Sequence, residues 1–168
     1  MLSQVMQDAI NDQVNNELFS SYTYLSMAAW CEHKQFVGCA HWLRLQSDEE
    51  RGHATRLQDF LLARNCRVYY KSIAEPACEF ESVAEVFEKA LAQEQTVTAQ
   101  IDGLYELAFK EKAFAALVEL EWFITEQVEE EKTAREVVHK FHMVADDPAS
   151  LLDLDRELSS RVAEDEGA

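Results

Sequence analysis

Glycine and proline are scarce in this sequence, whose 168 residues include only four glycines and two prolines. Hydrophobic residues make up 48% of the chain and charged residues 28%, which is typical of a folded protein with few turns. A chain of this length can bury about 70% of its unfolded surface within one domain. We therefore expect a single all-α domain over residues 1–168.

Cysteine is also used sparingly, and its spacing excludes several metal and redox sites. The four cysteines show no CxxC pair; they are Cys31, Cys39, Cys66 and Cys78. Zinc-ribbon, thioredoxin and rubredoxin-type sites all depend on such pairs. The four are expected to be reduced thiols, buried or without a chemical role.

Positive charge and long apolar runs are lacking as well. The net charge is −17, whereas nucleic-acid binding depends on lysine and arginine displacing counterions from phosphates. No nucleic-acid partner is expected, and a cationic partner fits better. No stretch approaches the roughly 18 apolar residues of a membrane span, and the N-terminus lacks a basic segment followed by an apolar core. These features favour a cytoplasmic protein with no membrane partner.

Four stripes of inward-facing residues recur at intervals of three and four positions, the period of a helix face. They run through residues 10–31, 36–60, 80–108 and 120–141. Breaks fall near 34–38, across 65–82 and near 110–112, and the segment "LLDLDRELSSRV" follows a further break at "ADDPAS". The pattern predicts a bundle over about 4–144 and a short fifth helix over about 148–162.

The lengths of the breaks predict the topology. The first and third are short, so each joins two antiparallel neighbours into a hairpin. The middle break is long enough to span about 50 Å when extended, whereas a helix of about 27 residues is about 40 Å long. The prediction is an antiparallel four-helix bundle with one long crossover.

Polar residues interrupt the apolar stripes at one level of this bundle. They are Glu17, Glu50, His53, Glu94, Gln127 and Glu130. Glu17 and Glu50 are 33 positions apart, as are Glu94 and Gln127, so the two hairpins resemble copies of one another. In each hairpin the polar positions lie about 16 to 19 residues from the turn, which places all six groups in one layer at a rise of 1.5 Å per residue.

Buried carboxylates at such density need a cation among them. One imidazole among several carboxylates is a hard, oxygen-rich ligand set that suits iron or manganese. A shared glutamate lets two ions lie about 3.5 to 4 Å apart. We assign Glu17, Glu50 and His53 to one ion and Glu50, Glu94 and Glu130 to the other, while neutral Gln127 is expected to orient a ligand or a water.

A second ExxH pair, Glu136 and His139, lies about 13 Å beyond the polar layer and is interpreted as surface or end-of-helix residues. Tyr24 follows Glu17 on the same stripe; it either hydrogen-bonds a ligand or gives up an electron, or it is an ordinary buried aromatic residue. The flanking glutamates Glu49, Glu126 and Glu129 either hold a further ion or form a solvated acidic face.

At these residues the sequence resembles the ferritin family, specifically its non-haem bacterial type, over essentially the full length. The segments that carry the resemblance are "NNELFSSYTYLSMAAW" (15–30), "SDEERGH" (47–53), Glu94 within "AQEQ", and "ITEQVEEEK" (124–132). The resemblance implies a homo-oligomeric cage of twenty-four subunits. Each subunit would oxidise Fe(II) with O2 or peroxide at a di-iron ferroxidase centre and pass Fe(III) to a mineral core.

The resemblance also implies roles for single residues. The ferroxidase ligands would be Glu17, Glu50, His53, Glu94 and Glu130, with Gln127 beside them. Glu49, Glu126 and Glu129 would add a third iron site, and Tyr24 matches a tyrosine beside the di-iron centre. Bacterioferritins carry a second ExxH at the position of Gln127/Glu130 and a haem-ligating methionine at the position of Gly52, so no haem is expected here.

Two other functions are compatible with the bundle. A di-iron oxidase or peroxidase could turn over a substrate without storing a mineral, although rubrerythrin-like versions need rubredoxin cysteines that the chain lacks. A structural or catalytically inactive cage subunit would have lost ligands, and none of them is missing from this sequence. An iron-storing ferroxidase is therefore the favoured function.

Overall fold

The structure is a computed structural model that describes residues 2–163. These residues form five helices and no strand, which confirms the all-α prediction; the helices are α1 (Gln4–His33), α2 (Val37–Ala63), α3 (Val83–Lys110), α4 (Phe114–Val144) and α5 (Pro148–Leu158). Among the described residues, none of the helices combines the length and the apolar character that crossing a membrane requires.

Side chains that cap free amides determine where three helices begin. Ser3 accepts a hydrogen bond from the Met6 amide at the start of α1, and Ser82 does the same for Glu85 at the start of α3. Asp147 caps α5, where Pro148 occupies the first turn and needs no hydrogen-bond acceptor for its nitrogen. The capping residues therefore stabilise these starts locally.

Three helices end without glycine, in keeping with its scarcity. Gln35, Asn65 and Lys112 have positive φ angles of 69°, 56° and 54°. In each case the next amide bonds to the carbonyl five positions back at 2.9 Å, the six-to-one bond of a Schellman motif; the pairs are Phe36 to Cys31, Cys66 to Leu61 and Ala113 to Ala108. Two of these motifs make the tight turns of the α1/α2 and α3/α4 hairpins.

The long crossover between α2 and α3 runs along the outside of α1. Near its start the Tyr69 amide donates to Asn11 Oδ1 at 3.0 Å, and the Lys71 amide donates to Asn15 Oδ1 at 2.7 Å. Near its end Ser26 donates to the Ala77 carbonyl at 2.7 Å. The contacts advance along α1 as the crossover does, so the predicted crossover topology is confirmed.

Two hydrophobic clusters fill the two ends of the bundle. One contains Tyr24, Leu43, Phe87 and Phe141, and side chains of α5 join it. The other contains residues from the opposite halves of the same helices, such as Ile10, Leu57, Ile101 and Phe123. The predicted polar layer lies between the two clusters, at the middle of the bundle.

Helix α5 packs against α2 and α4. Buried Asp155 accepts a hydrogen bond from the Cys39 amide at 2.8 Å and so caps α2, whose own N-cap residue, Phe36, makes no side-chain cap. The helix ends at Leu158 rather than at the predicted 162. The hydroxyls of Ser159 and Ser160 bond back to carbonyls three positions earlier, at 2.6 Å in both cases, and compete with continued helical hydrogen bonding.

Candidate metal centre

Three side chains from α1 and α2 converge at the middle of the bundle. Glu17, Glu50 and His53 each offer a ligand atom, and these atoms all lie within 4.8 Å of one another. Their exposed fractions are 0%, 1% and 2%. Glu50 and His53 share a helix face because they are three positions apart, and Glu50 Oε2 lies 3.5 Å from His53 Nδ1.

The ligand atoms of this cluster have unused hydrogen-bonding capacity. Within the described part of the chain, Glu17 Oε2, both carboxylate oxygens of Glu50 and His53 Nδ1 are buried without a hydrogen-bond partner. Native proteins rarely leave buried polar atoms in this condition unless a water or an ion completes them. The cluster therefore has the chemistry of a cation site.

The second hairpin contributes Glu94 and Gln127 to the same layer. Gln127 Nε2 lies 3.2 Å from the Glu94 carbonyl and 3.3 Å from Glu94 Oε2, so this amide donates to the backbone and to the carboxylate of Glu94. Buried Tyr24 donates a short hydrogen bond to Glu94 Oε1. Tyr24 thus contacts a predicted ligand directly.

Glu130 lies at the edge of the layer and is partly buried. Gln46 Nε2 donates to Glu130 Oε2 at 2.7 Å. On the opposite side, Gln13 Nε2 donates to Glu17 Oε1 at 2.8 Å. Each of these amides holds one carboxylate oxygen and leaves the other free to bind a cation.

The buried surroundings of the centre disfavour the ionised form of its glutamates. Burial raises the pKa of Glu50 well above its ordinary value, and the carboxylates of Glu94, Glu17 and Glu130 raise it further. Burial is also the main cause of the raised pKa values of Glu17, Glu94 and Glu130. A bound cation would reverse this effect by favouring the ionised carboxylates.

Aromatic rings enclose the histidine. The His53 ring meets Trp122 edge-on at 5.4 Å between centroids and Phe123 at 5.9 Å. The Arg56 guanidinium lies 4.1 Å from the Trp122 ring centroid on the outer side. This packing restricts the orientation of the imidazole and excludes water from that side of the cluster.

The chain is similar to known proteins of one family. Residues 7–144 match the family described as Ferritin-like domain. The chain belongs to the ferritin family. The resemblance identified from the sequence is thereby confirmed. As a ferritin the chain has an iron-storage role, and Glu17, Glu50 and His53 could form part of its di-iron site.

Individual ferritins match the chain over nearly its whole length. The bacterial non-heme ferritin of Staphylococcus haemolyticus is 38% identical over 166 residues, which cover 99% of this chain and 100% of the relative. The protein of the same description from Staphylococcus aureus is 33% identical with the same coverage.

Solved ferritin structures share the fold. A closed form of the Archaeoglobus fulgidus ferritin, engineered by site-directed mutagenesis, superposes with a TM-score of 0.96 at 40% identity, covering 98% of this chain and 100% of that one. The open-pore ferritin of the same archaeon gives a TM-score of 0.95 at 40% identity, with coverages of 96% and 100%.

The flanking glutamates of this ferritin differ in their surroundings. Glu49 Oε2 accepts a hydrogen bond from Arg161 Nη2 at 2.7 Å. Glu126 is partly buried, whereas Glu129 is exposed and lies 3.5 Å from Lys132 Nζ. The structure thus brings a guanidinium to the Glu49 flank.

The second ExxH pair, Glu136 and His139, is exposed as predicted.

Sequence reasoning did not find three supporting residues of this ferritin centre. Gln46 occupies an inward stripe position four residues before Glu50, and that position was the signal that could have found it. Gln13 lies four residues before Glu17, a spacing that allows contact on a helix but does not require it. Arg161 lies beyond the end of α5 at Leu158, and its contact depends on how α5 docks on α2.

Proposed function

We propose that this ferritin subunit oxidises Fe(II) with O2 at a di-iron centre inside the four-helix bundle and delivers Fe(III) to a mineral core within a protein cage. Iron is the substrate of the centre and the cargo of the cage. The cage would contain twenty-four copies of the chain and reside in the cytoplasm, and no haem would take part.

One observation carries the proposal: the mid-bundle cluster of Glu17, Glu50 and His53 is buried and closely spaced, and four of its ligand atoms have no hydrogen-bond partner within residues 2–163. A structural bundle would fill this layer with apolar side chains, because unpaired buried carboxylates destabilise the fold. In a centre that binds and releases iron, the unpaired carboxylates serve as ligands.

The ligands divide between two iron ions. Glu17 and His53 would bind the first ion, Glu94 and Glu130 the second, and Glu50 would bridge both. Gln127 and Tyr24 act on Glu94, since the amide and the phenol each donate to one of its oxygens. They fix the orientation of that carboxylate before the second ion arrives.

The reaction needs no nucleophile from the protein. Two Fe(II) ions held together each give one electron to the same O2, which becomes hydrogen peroxide after it takes up two protons. Carboxylates favour this step because hard, anionic oxygen ligands stabilise Fe(III) more than Fe(II). Peroxide could replace O2 as the two-electron oxidant. Glu49, Glu126 and Glu129 would form a third iron site beside the pair.

Rapid mixing tests the oxidation step. Metal-free protein is loaded anaerobically with increasing Fe(II) and mixed with O2, and Fe(III) formation is followed by near-ultraviolet absorbance. We expect a fast phase that saturates at about two irons per chain when only the two-ion centre reacts, or about three when the flank also binds. Glu50→Gln should abolish the fast phase, because it removes the bridging ligand.

Glu136→Gln provides the matched control, because it changes the exposed glutamate of the other ExxH pair. It should leave the fast phase unchanged. A wild-type rate no greater than that of iron in buffer would refute the ferroxidase proposal. Storage is measured separately as the iron that co-elutes with the assembled protein after gel filtration; retention of only the few irons of the centre would instead indicate an oxidase without a storage role.

A further inference from the structure

The segment after α5 carries a positive charge into the acidic flank of the centre. Arg161 Nη2 donates to Glu49 Oε2 at 2.7 Å, and Arg161 Nη1 donates to Gln46 Oε1 at 2.8 Å. The guanidinium carbon lies 4.4 Å from the Trp42 ring centroid. The Arg161 side chain is 14% exposed and that of Glu49 is 12% exposed, so this ion pair is largely removed from solvent.

The backbone of Arg161 is held as well. His41 Nε2 lies 2.9 Å from the Arg161 carbonyl oxygen, and the Arg161 amide bonds to the Leu158 carbonyl at 3.3 Å. The planar guanidinium presents two donors to two acceptors and stacks on an indole, a geometry that fixes an arginine more firmly than a single surface ion pair does. These contacts therefore hold the positive charge of Arg161 in one place beside Glu49.

Arg161 also reaches a predicted iron ligand through one intermediate. Gln46 is fully buried; its oxygen accepts from Arg161, and its amide nitrogen donates to Glu130 Oε2 at 2.7 Å. The same guanidinium thus engages Glu49 directly and determines the orientation of the amide that binds Glu130. Under the proposed function Glu49 belongs to the third iron site, and Glu130 is a ligand of the adjacent two-ion centre.

We propose that the Arg161 guanidinium is an internal cation that occupies the Glu49 flank until a third divalent ion displaces it. The inference deepens the proposed function and rests on it. A third ion bound by Glu49 would lie within a few ångströms of the guanidinium, which donates to Glu49 Oε2 at 2.7 Å. The two positive charges repel each other in a largely desolvated flank, so binding of the third ion favours movement of the guanidinium away from Glu49.

This competition distinguishes the third metal site, at the Glu49 flank, from the two-ion centre in two ways. Its affinity is lowered by the positive charge of Arg161, and its occupation is coupled to release of the segment that follows α5. Arg161 is a positioning residue in this scheme and does not contact iron. An arginine that only fastened α5 to α2 would leave the metal affinity of the flank unchanged.

Zinc titration of the assembled, metal-free protein tests the competition, because Zn(II) is redox-inert and binds carboxylate and imidazole ligands. Calorimetry should resolve two classes of tight Zn(II) binding, one for each ion of the two-ion centre, which Glu50→Gln abolishes. It should also resolve a weaker third class at the Glu49 flank, which Glu49→Gln abolishes. In Arg161→Gln the third class should tighten about tenfold or more, since a positive charge within a few ångströms of the bound ion has been removed. Arg161→Lys retains the charge but loses the two-donor fork, so the third class should tighten less than in Arg161→Gln.

Arg156→Gln is the matched control, because Arg156 is an exposed arginine of α5 that pairs only locally with Asp153 among the described residues. It should leave all three classes unchanged. Equal third-class affinity in wild type and Arg161→Gln, or equal effects of the Gln and Lys substitutions, would overturn the proposal. If no variant shows tight binding that depends on Glu50, the proposed metal centre itself fails, a result distinct from failure of the competition.

Fluorescence supplies a second readout that does not depend on substituting Arg161. In a Trp30→Phe/Trp122→Phe protein, Trp42 is the remaining tryptophan, and its ring contacts the guanidinium. Its emission should change as the third equivalent of Zn(II) binds and not with the first two. A change confined to the first two equivalents, or no change through the third, would contradict displacement of Arg161.

Discussion

At the scale of single residues, Glu50 shows why the centre needs a cation. Its two carboxylate oxygens are buried without hydrogen-bond partners in the described structure, and its pKa is raised well above the ordinary value by burial and then by Glu94, Glu17 and Glu130. In the metal-free protein the folded state therefore holds a proton on Glu50 at pH values where the unfolded chain has released it. Stability from this residue is fully present below the unfolded pKa and is lost as the pH rises through the raised folded pKa.

Glu50→Gln removes this effect while preserving the shape of the side chain. We expect the metal-free variant to be more stable than metal-free wild type at about pH 8, by about 1–3 kcal/mol, because a neutral amide replaces an ionisable group in a site that opposes charge. The difference should shrink towards about pH 5, where wild type also carries the proton. Urea unfolding of both proteins across this pH range, with chelator present, measures it.

Glu136→Gln again serves as the comparison, since Glu136 is exposed and lies outside the buried cluster, and it should not show the stabilisation at about pH 8 that is expected of Glu50→Gln. A metal-free wild type that is more stable than Glu50→Gln at about pH 8 would show that the charge on Glu50 is compensated by protein groups and not by a cation.

At the scale of helices, two glycines of the chain have opposite roles. A Cβ added at Gly38 would lie 1.8 Å from the Asp155 carbonyl oxygen, so the absence of a side chain lets α5 approach α2. Gly103 lies within α3, and a Cβ there would meet nothing within 4 Å. The first glycine is required by packing, whereas the second only weakens its helix.

Alanine substitution should separate the two. Gly103→Ala is expected to stabilise the protein by about 0.5–1 kcal/mol, the usual gain of alanine over glycine in a helix interior. Gly38→Ala should destabilise it by about 2 kcal/mol or more, because Asp155 must move and its cap on α2 is lost. Thermal unfolding midpoints measure both changes, and a Gly38→Ala protein as stable as wild type would refute the close approach of α5.

The crossover depends on a buried asparagine of α1. Asn11 is fully buried; its Nδ2 donates to the Arg67 carbonyl at 3.1 Å and its Oδ1 accepts from the Tyr69 amide at 3.0 Å. Asn11→Ala should cost about 2–3 kcal/mol, because it leaves these backbone groups without partners. Hydrogen exchange should speed up at the Tyr69 amide. Asn15→Ala removes the bond from the exposed Lys71 amide and the bond from Asn15 Nδ2 to the Asn11 carbonyl. It should cost less, because the Lys71 amide can bond to water instead, and equal costs would contradict this role of Asn11.

The helices and the polar layer could be predicted from the sequence because both follow from periodicity. Apolar positions recur every three or four residues, and Glu17, Glu50 and Glu94 interrupt them at equal distances from the turns. The hydrogen-bond partners of Gln13, Gln46 and Arg161 could not be predicted. The stripe position of Gln46 indicates an inward-facing side chain but not its partner, and glutamine is mostly found on solvated surfaces. The contact of Arg161 depends on how α5 docks, which the pattern within one helix does not specify.

At the scale of the whole molecule, the net charge of −17 and the buried carboxylates both favour association with cations. Binding of a metal to the folded state alone stabilises it by mass action, by about 2.7 kcal/mol when the free metal is a hundred times its dissociation constant. We expect the unfolding temperature to rise steadily with the logarithm of free Zn(II). Glu50→Gln should abolish most of this rise, whereas a rise that persists in this variant would point to the acidic surface and not to the centre.

The two hydrophobic clusters, one on each side of the polar layer, have a consequence for how such a molecule can change over evolutionary time. Each cluster draws on all four long helices, so hydrocarbon packing at the two ends determines the register of the helices at the middle. The ligands in between contribute little to the choice of fold. Mutations can therefore exchange one ligand set for another, and so one metal or reaction for another, on a backbone that stays the same.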